Sequence, residues 1–155
     1  MKLAEALILR ADRKRLFEEL RGRAVTMARY QEGEKPSEDA DRLVTRALQV
    51  LDELEALIRR INLTNSASTI GSGVTVTAAL AERDVLRLRY ALLTAVADAA
   101  SGKNQAARQI RSELKFMSAV SVPELRDRAN EFAKRHRELD TEVQAANWNV
   151  ELRED

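Results

Sequence analysis

The sequence contains no cysteine and is poor in proline, glycine and aromatic residues. Among 155 residues there are two prolines and five glycines, and Phe, Trp and Tyr together make up 4%. Without cysteine the chain can form no disulfide, thiolate metal site or cysteine nucleophile, which fits a reducing cytoplasm. Because proline and glycine are the main turn residues, their scarcity predicts a few long elements. A core with so few aromatics must be built from aliphatic side chains.

An excess of charge of one sign is also lacking. The chain has 26 Lys and Arg against 25 Asp and Glu, so its formal net charge is +1. No global field therefore attracts nucleic acid or an anionic membrane. The apolar run at the N-terminus covers about seven residues and contains Glu5, whereas a membrane span needs ~20 apolar residues and a signal peptide needs an unbroken apolar core. The sequence predicts a soluble, cytoplasmic protein with no membrane partner.

Apolar residues spaced three and four apart dominate residues 43–61. They are Leu43, Ala47, Val50, Leu54, Leu57 and Ile61. On a helix of 3.6 residues per turn they share one face, which must be buried against other helices. A similar pattern over 2–30 predicts a first helix, and the short polar link between the two predicts an antiparallel, coiled-coil-like hairpin over 1–62.

The rest of the chain predicts two more helices and two strands. Residues 63–77 are polar and lack a helical period, so we expect a loop. A third helix over 78–100 should bury Ala81, Val85, Leu88, Leu92, Ala95 and Ala99. The alternation at 114–120 predicts a strand, after a short helical turn beyond Lys103. Ser121 to Glu124 fits a capping box that starts the fourth helix, and the tail at 147–155 should pair with the 114–120 strand.

These elements predict a single all-α domain over 1–155. It is an antiparallel four-helix bundle with a long coiled-coil-like hairpin and a small two- or three-stranded β ribbon. Helices three and four with the 114–120 strand occupy 78–146 in this scheme. Since one chain cannot cover all of these apolar seams and a lone ribbon is marginal, we expect a homo-oligomer, most simply a two-fold dimer. Its expected contacts include Phe116, Trp148 and Val150.

The sequence offers little that resembles catalytic chemistry. His136, the single histidine, lies on the predicted seam of helix four and is read as a packed residue. The Glu-x-x-His spacing of di-iron bundles fails because position 133 is alanine. Asp52, Glu53 and Glu55 look like ordinary surface charges on a helix. We therefore predict no catalytic residue, metal or cofactor, and a structural or protein-interaction role is favoured over an enzyme.

Two other functions stay open at this level. The polar loop at 62–77 has the composition of a ligand-binding loop, although it lacks a Walker ending. A pocket there would take its polar contacts from Asn62, Thr64, Asn65, Arg83 and Asp84. RNA binding by the arginines of helix one is the third possibility, but interleaved acidic residues dilute that cluster and argue against nucleic acid.

Several segments together resemble a known family. They are LDELEALIRRINLTNSAS, ALAERDVLRLR, SELKFMSAV and LDTEVQAANWNVEL, with the opening MKLAEALILRADRKRLFEELRGR. These segments and their order along the chain resemble the septicolysin-like family of small uncharacterised bacterial proteins. The resemblance implies a bacterial protein, and it supplies no activity, cofactor or catalytic residue for positions here. A pore-forming role, which that name suggests, does not fit a short helical chain with a single Trp.

Overall fold

The computed structural model describes residues 1–103 and 114–154 and contains four helices. They are α1 (Leu3–Met27), α2 (Ala40–Ala67), α3 (Val76–Ala100) and α4 (Val122–Asn149). The chain divides into two compact units. The first consists of Met1–Thr69 with the chain from Ala145 onward, and the second is Ile70–Gln144. The all-α class and the four helices agree with the sequence, while the single domain over 1–155 stays a prediction.

In the first unit, α1 and α2 form an antiparallel hairpin. At its closed end Leu20 and Ala24 of α1 pack with Leu43 and Ala47 of α2, and Asp39 begins α2 by accepting hydrogen bonds from two backbone N–H groups. At the open end a second cluster holds together the two helices and the tail of the chain. It consists of Leu3, Ala6, Leu57, Ile61 and Leu152. The stripe predicted over 43–61 is thus covered by α1 of the same chain.

The predicted loop at 63–77 is wrong over its first part. α2 continues to Ala67, and α3 begins at Val76. The apolar stripe of α2 is prolonged by Thr64, which is fully buried and donates a hydrogen bond from Oγ1 to the carbonyl of Arg60 at 2.8 Å. A buried, satisfied threonine continues the helical face although its side chain is polar, so the composition of this segment concealed its period.

In the second unit, α3 and the part of α4 up to Gln144 lie antiparallel. Three pairs of side chains cross between them: Arg83 with Asp140 at 3.0 Å, Arg135 with Glu82 at 2.9 Å and Arg126 with Asp98 at 2.9 Å. Ser121 accepts a hydrogen bond from the N–H of Glu124, as the capping box predicts. A turn precedes α3, where Gly73 has φ of +82°, a conformation that favours glycine.

The predicted β ribbon is wrong, since the structure has no strand within 1–103 or 114–154. Residues 114–120 are irregular and exposed. Residues 147–149 belong to α4, because the buried series Leu139, Val143 and Ala146 keeps a helical period to the end of that helix. Glu151 forms an isolated antiparallel bridge with Lys2 instead of pairing with 114–120. The helical turn expected over 103–111 lies, except for Lys103, outside the described residues.

The helices also bear on membrane insertion. None of the helices within the described ranges is both long enough and apolar enough to span a lipid bilayer.

Candidate interaction surface

The seam predicted for helix three lies on the outside of the chain. α3 buries Val76, Ala79, Leu86 and Ala97. By contrast Leu88 is 66% exposed and Leu92 is 62% exposed. The single chain therefore leaves the 81–99 stripe exposed, and burial of this stripe in an assembly stays a prediction. We call this exposed surface the α3 stripe. All of its eight members are exposed, and they are Ala78, Ala81, Val85, Leu88, Leu92, Ala95, Val96 and Ala99.

The spacing of the α3 stripe is that of a coiled-coil seam. From Ala78 to Ala99 its members advance by three and four residues in strict alternation, with Val96 as an extra member. An average step of 3.5 residues keeps a seam straight along a helix that pairs with another helix. At 1.5 Å per residue the stripe is ~32 Å long.

A cavity extends this apolar surface at the end of α3. It has a volume of about 500 Å³ and is lined by Val96 and Ala99 of the stripe together with Phe116, Met117 and Val120 of the irregular segment. Phe116 is 65% exposed and Met117 is 85% exposed. The structure therefore places Phe116, a predicted oligomer contact, beside the C-terminal end of the stripe.

Charged side chains border the α3 stripe on both sides. Glu82 and Arg89 lie along one edge and Asp84 along the other, as their positions in the 3.5-residue repeat require. The guanidinium of Arg89 lies 5.6 Å from the centre of the Phe132 ring. Glu82 binds Arg135, and its carboxylate raises the pKa of that guanidinium above its usual value. An apolar strip with charged borders is suited to contact with a protein helix.

Asp98 supports the end of α3 that carries the cavity. Its carboxylate binds Arg126 of α4 at 2.9 Å and Lys103 at 3.2 Å. The hydrogen bonds from Arg126 and then from Lys103 hold the pKa of the Asp98 carboxyl below its usual range.

We expect Asp98→Asn to lower the melting temperature at pH 7, and the difference from wild type should disappear in acid. A carboxyl whose pKa is lowered by folding stabilises the protein above its unfolded pKa of about 4, and this contribution is lost as the pH falls through the folded value. Thermal melts of both proteins between pH 7 and roughly pH 2.5 test this. A difference in melting temperature that stays constant over the whole range would contradict it. Asp127→Asn, on the exposed side of α4, serves as the control.

The predicted ligand contacts fall into two groups. Asn62, Thr64 and Asn65 lie in α2 of the first unit, whereas Arg83 and Asp84 lie in α3 of the second. Asn62 is exposed and lines a cavity of about 390 Å³ on α2. Arg83 is engaged by Asp140. The irregular segment between the two helices is 68–75, and the role of these five residues as ligand contacts stays a prediction.

Thr64 has a structural role in the first unit. Besides its bond to Arg60, its Oγ1 accepts a hydrogen bond from the backbone N–H of Arg153 at 3.0 Å. The guanidinium of Arg60 in turn donates to the carbonyl of Arg153 at 3.0 Å. The hydroxyl of Thr64 therefore links the C-terminal tail to α2 by a hydrogen bond.

Thr64→Val should destabilise the first unit. The change keeps the shape of the side chain but removes the acceptor of the Arg153 N–H, and loss of a part-buried hydrogen bond of this kind costs about 1 kcal/mol. Urea unfolding measures this loss. Thr64→Ser, which retains the hydroxyl, should recover most of the hydrogen-bond contribution; equal losses in the valine and serine variants would show that the hydroxyl contributes nothing.

The remaining predicted contacts also lie in the first unit. Trp148 is 57% exposed in the last turn of α4. Val150 packs against the cluster around Leu3, and its carbonyl accepts the N–H of Leu3 at 2.9 Å. Val150 thus contacts its own chain, while its role and that of Trp148 in an oligomer stay predictions. Over residues 1–103 and 114–154, no three His, Cys, Asp or Glu side chains converge to hold a metal ion.

Comparison with known proteins places the chain in a family without naming an activity. A family of unknown function (DUF6847) matches residues 10–152. No curated protein matches the chain. The crystal structure of a functionally unknown conserved protein from Corynebacterium diphtheriae is 35% identical, covers 99% of each chain and has a TM-score of 0.90. None of these descriptions bears on the septicolysin-like resemblance, which stays a prediction. Because the match spans nearly the whole sequence, the chain belongs to this family of unknown function.

Proposed function

We propose that this protein is a non-enzymatic structural or protein-interaction module that assembles as a homodimer through the α3 stripe. One observation carries the proposal, namely that a stripe of eight small and large apolar residues runs along α3 and is exposed. Burial of exposed apolar surface against a partner stabilises the complex by roughly 25 cal/mol per Å². Contiguous apolar patches on soluble proteins mark interaction sites more often than scattered apolar residues do.

A second copy of the stripe is the partner that fits its charges. Antiparallel pairing of two α3 helices about a two-fold axis between Val85 and Leu88 brings Glu82 of each copy toward Arg89 of the other. Within each copy these two side chains also contact Arg135 and Phe132 of α4. Parallel pairing brings Asp84 toward Arg89 instead. Since the borders carry both signs, the surface is complementary to itself, as a two-fold interface requires.

The cavity beside Phe116, which has both apolar and polar lining residues, lengthens the surface available to the partner. The coiled-coil seam alone spans three heptads, from Ala78 to Ala99. A stable interface buries about 800 Å² on each partner, so the contribution of Phe116 and Met117 supports an interface of sufficient size. In the proposed dimer, the exposed aromatic ring of Phe116 would be buried against the partner.

Light scattering coupled to size exclusion tests the proposal on the wild-type chain. We expect a species with twice the mass of one chain at micromolar concentration, and a melting temperature that rises with protein concentration. Because the contact is chiefly apolar, raising the salt concentration to about 1 M should not dissociate it. A single-chain mass at every concentration up to the millimolar range would reject the assembly.

A further inference from the structure

We propose that a second site, the cleft between α3 and α4 beside His136, binds a small organic anion with an apolar part, such as an aryl phosphate or aryl carboxylate. This binding role goes beyond assembly and uses another side of α3. At 100° per residue, Tyr90 of the cleft lies roughly 140° around the helix from Val85 of the α3 stripe. Both surfaces can therefore be occupied at once.

The cleft is built by matching faces of two helices. It has a volume of about 260 Å³ and is lined by Leu86, Arg87 and Tyr90 of α3 and by Ala133, His136 and Arg137 of α4. Leu86 is 3% exposed and closes the floor with Ala133. The other four lining side chains end in polar groups, namely a phenol, an imidazole and two guanidinium groups.

The charge of the cleft is unbalanced, unlike that of the helix pair on either side of it. Toward one end of the pair, Arg83 and Arg135 are matched by Asp140 and Glu82. Toward the other end, Arg126 is matched by Asp98.

No carboxylate lines the cleft between these ion pairs. Arg87 approaches Asp84 only at 4.0 Å, the outer limit of an ion pair. The guanidinium of Arg137 has no acidic partner in the described part of the chain, and that of Arg89 lies over Phe132. The middle of the pair thus carries two guanidinium groups beside an apolar floor, and their only ion pair in the described residues is the long one from Arg87 to Asp84.

The chemistry of these groups selects the ligand class. Guanidinium groups bind carboxylate and phosphate oxygens through two parallel hydrogen bonds. The hydroxyl of Tyr90 and an N–H of His136 can add further donors, and the floor formed by Leu86 favours an aromatic or aliphatic body. A volume of about 260 Å³ lies just below the ~300–1,000 Å³ of sites for drug-sized ligands. The cleft therefore suits a single ring with one anionic group.

Phenyl phosphate is the probe that tests this site, with titration followed by ¹⁵N-resolved NMR and by calorimetry. We expect saturable binding, with the largest shifts at residues 86–90 and 133–137. Phenol, which lacks the charge, and inorganic phosphate, which lacks the ring, should each bind about 10-fold more weakly or worse. Benzoate should compete with phenyl phosphate, which shows that the site recognises an aryl anion as a class.

Single substitutions locate the binding. Arg137→Gln and Arg87→Gln should each weaken phenyl phosphate about 10-fold, the loss expected for one charge-assisted contact. Arg128→Gln is the matched control, because Arg128 is exposed on α4 and does not line the cleft. The melting temperature of each variant confirms that it is folded. Absence of saturable binding by phenyl phosphate and benzoate up to about 10 mM, or undiminished binding in Arg137→Gln, would overturn the proposal.

Discussion

Leu88→Glu is expected to convert the proposed α3 dimer into monomers. Leu88 is 66% exposed in the single chain, so a glutamate there remains hydrated in the monomer and costs little. In the paired state the two-fold axis brings two such carboxylates into an apolar interface, where each loses water and neither gains a partner. A loss of roughly 3 kcal/mol raises the dissociation constant at least about 100-fold. Light scattering should then give the mass of one chain at concentrations where wild type is dimeric.

Leu48→Glu is the matched control for this change. Leu48 is 57% exposed, lies on α2 in the first unit and is not part of the α3 stripe. The same substitution there should leave the mass unchanged. Circular dichroism should show equal helix content in both variants, since glutamate is a good helix former. A dimeric Leu88→Glu protein, or a monomeric Leu48→Glu protein, would move the interface away from α3.

The sequence predicts the helices well because their apolar period is long and regular. Over 43–61 the stripe recurs through five turns, and its buried members Leu43, Val50 and Ile61 are those that the spacing indicates. α4 shows the same agreement, since His136 lies half-buried at the edge of its packed face. Periodicity over many residues averages out single polar or apolar exceptions.

The predicted strands fail because their signal is short. Trp148, Val150 and Leu152 alternate over only five positions. The helical series Leu139, Val143 and Ala146 reaches the same place from upstream and determines the structure. The alternation at 114–120 has no partner strand in the described residues, and a hydrogen-bond ladder needs one. Short alternation without a turn and a second strand is therefore weak support for a ribbon.

The candidate interface shows what periodicity leaves open. The pattern over 81–99 correctly identifies an apolar face, but no pattern tells whether the same chain or another copy covers it. α3 in fact carries two apolar faces, one with Leu86 and Ala97 against α4 and one with Leu88 and Leu92 toward solvent. The second face has the strict 3.5-residue step of a coiled-coil seam, but the stripe over 43–61 has the same step and is covered by α1 of its own chain.

The cleft beside His136 could not be predicted for a different reason. Its six lining residues come from two helices about fifty positions apart, and no motif joins them. Arg87 and Arg137 come to one opening because α3 and α4 pair in one register, in which Arg83 meets Asp140 and Arg126 meets Asp98. A binding site whose residues come from two helices can be identified only when the register of one helix against the other is known.

Ile61→Ala is expected to produce the largest loss of stability in the first unit. Ile61 is 1% exposed and lies in the cluster that joins α1, α2 and the C-terminal tail through Leu3 and Leu152. Truncating a buried isoleucine removes three methyl or methylene groups and leaves a cavity that helices can close only in part, which costs about 2–5 kcal/mol. Urea unfolding of wild type and variant at the same protein concentration gives the difference in free energy of unfolding, since any contribution of assembly is then common to both.

Ile58→Ala provides the comparison within the same helix. Ile58 is 38% exposed and lies one turn before Ile61, so the same truncation removes a side chain that already contacts water. Its loss should stay near 1 kcal/mol or below. Hydrogen exchange should show that Ile61→Ala lowers protection of the tail around Leu152 together with that of α2, because one cluster holds both. Equal losses in the two alanine variants would mean that the cluster around Ile61 is not the core that joins α1, α2 and the tail.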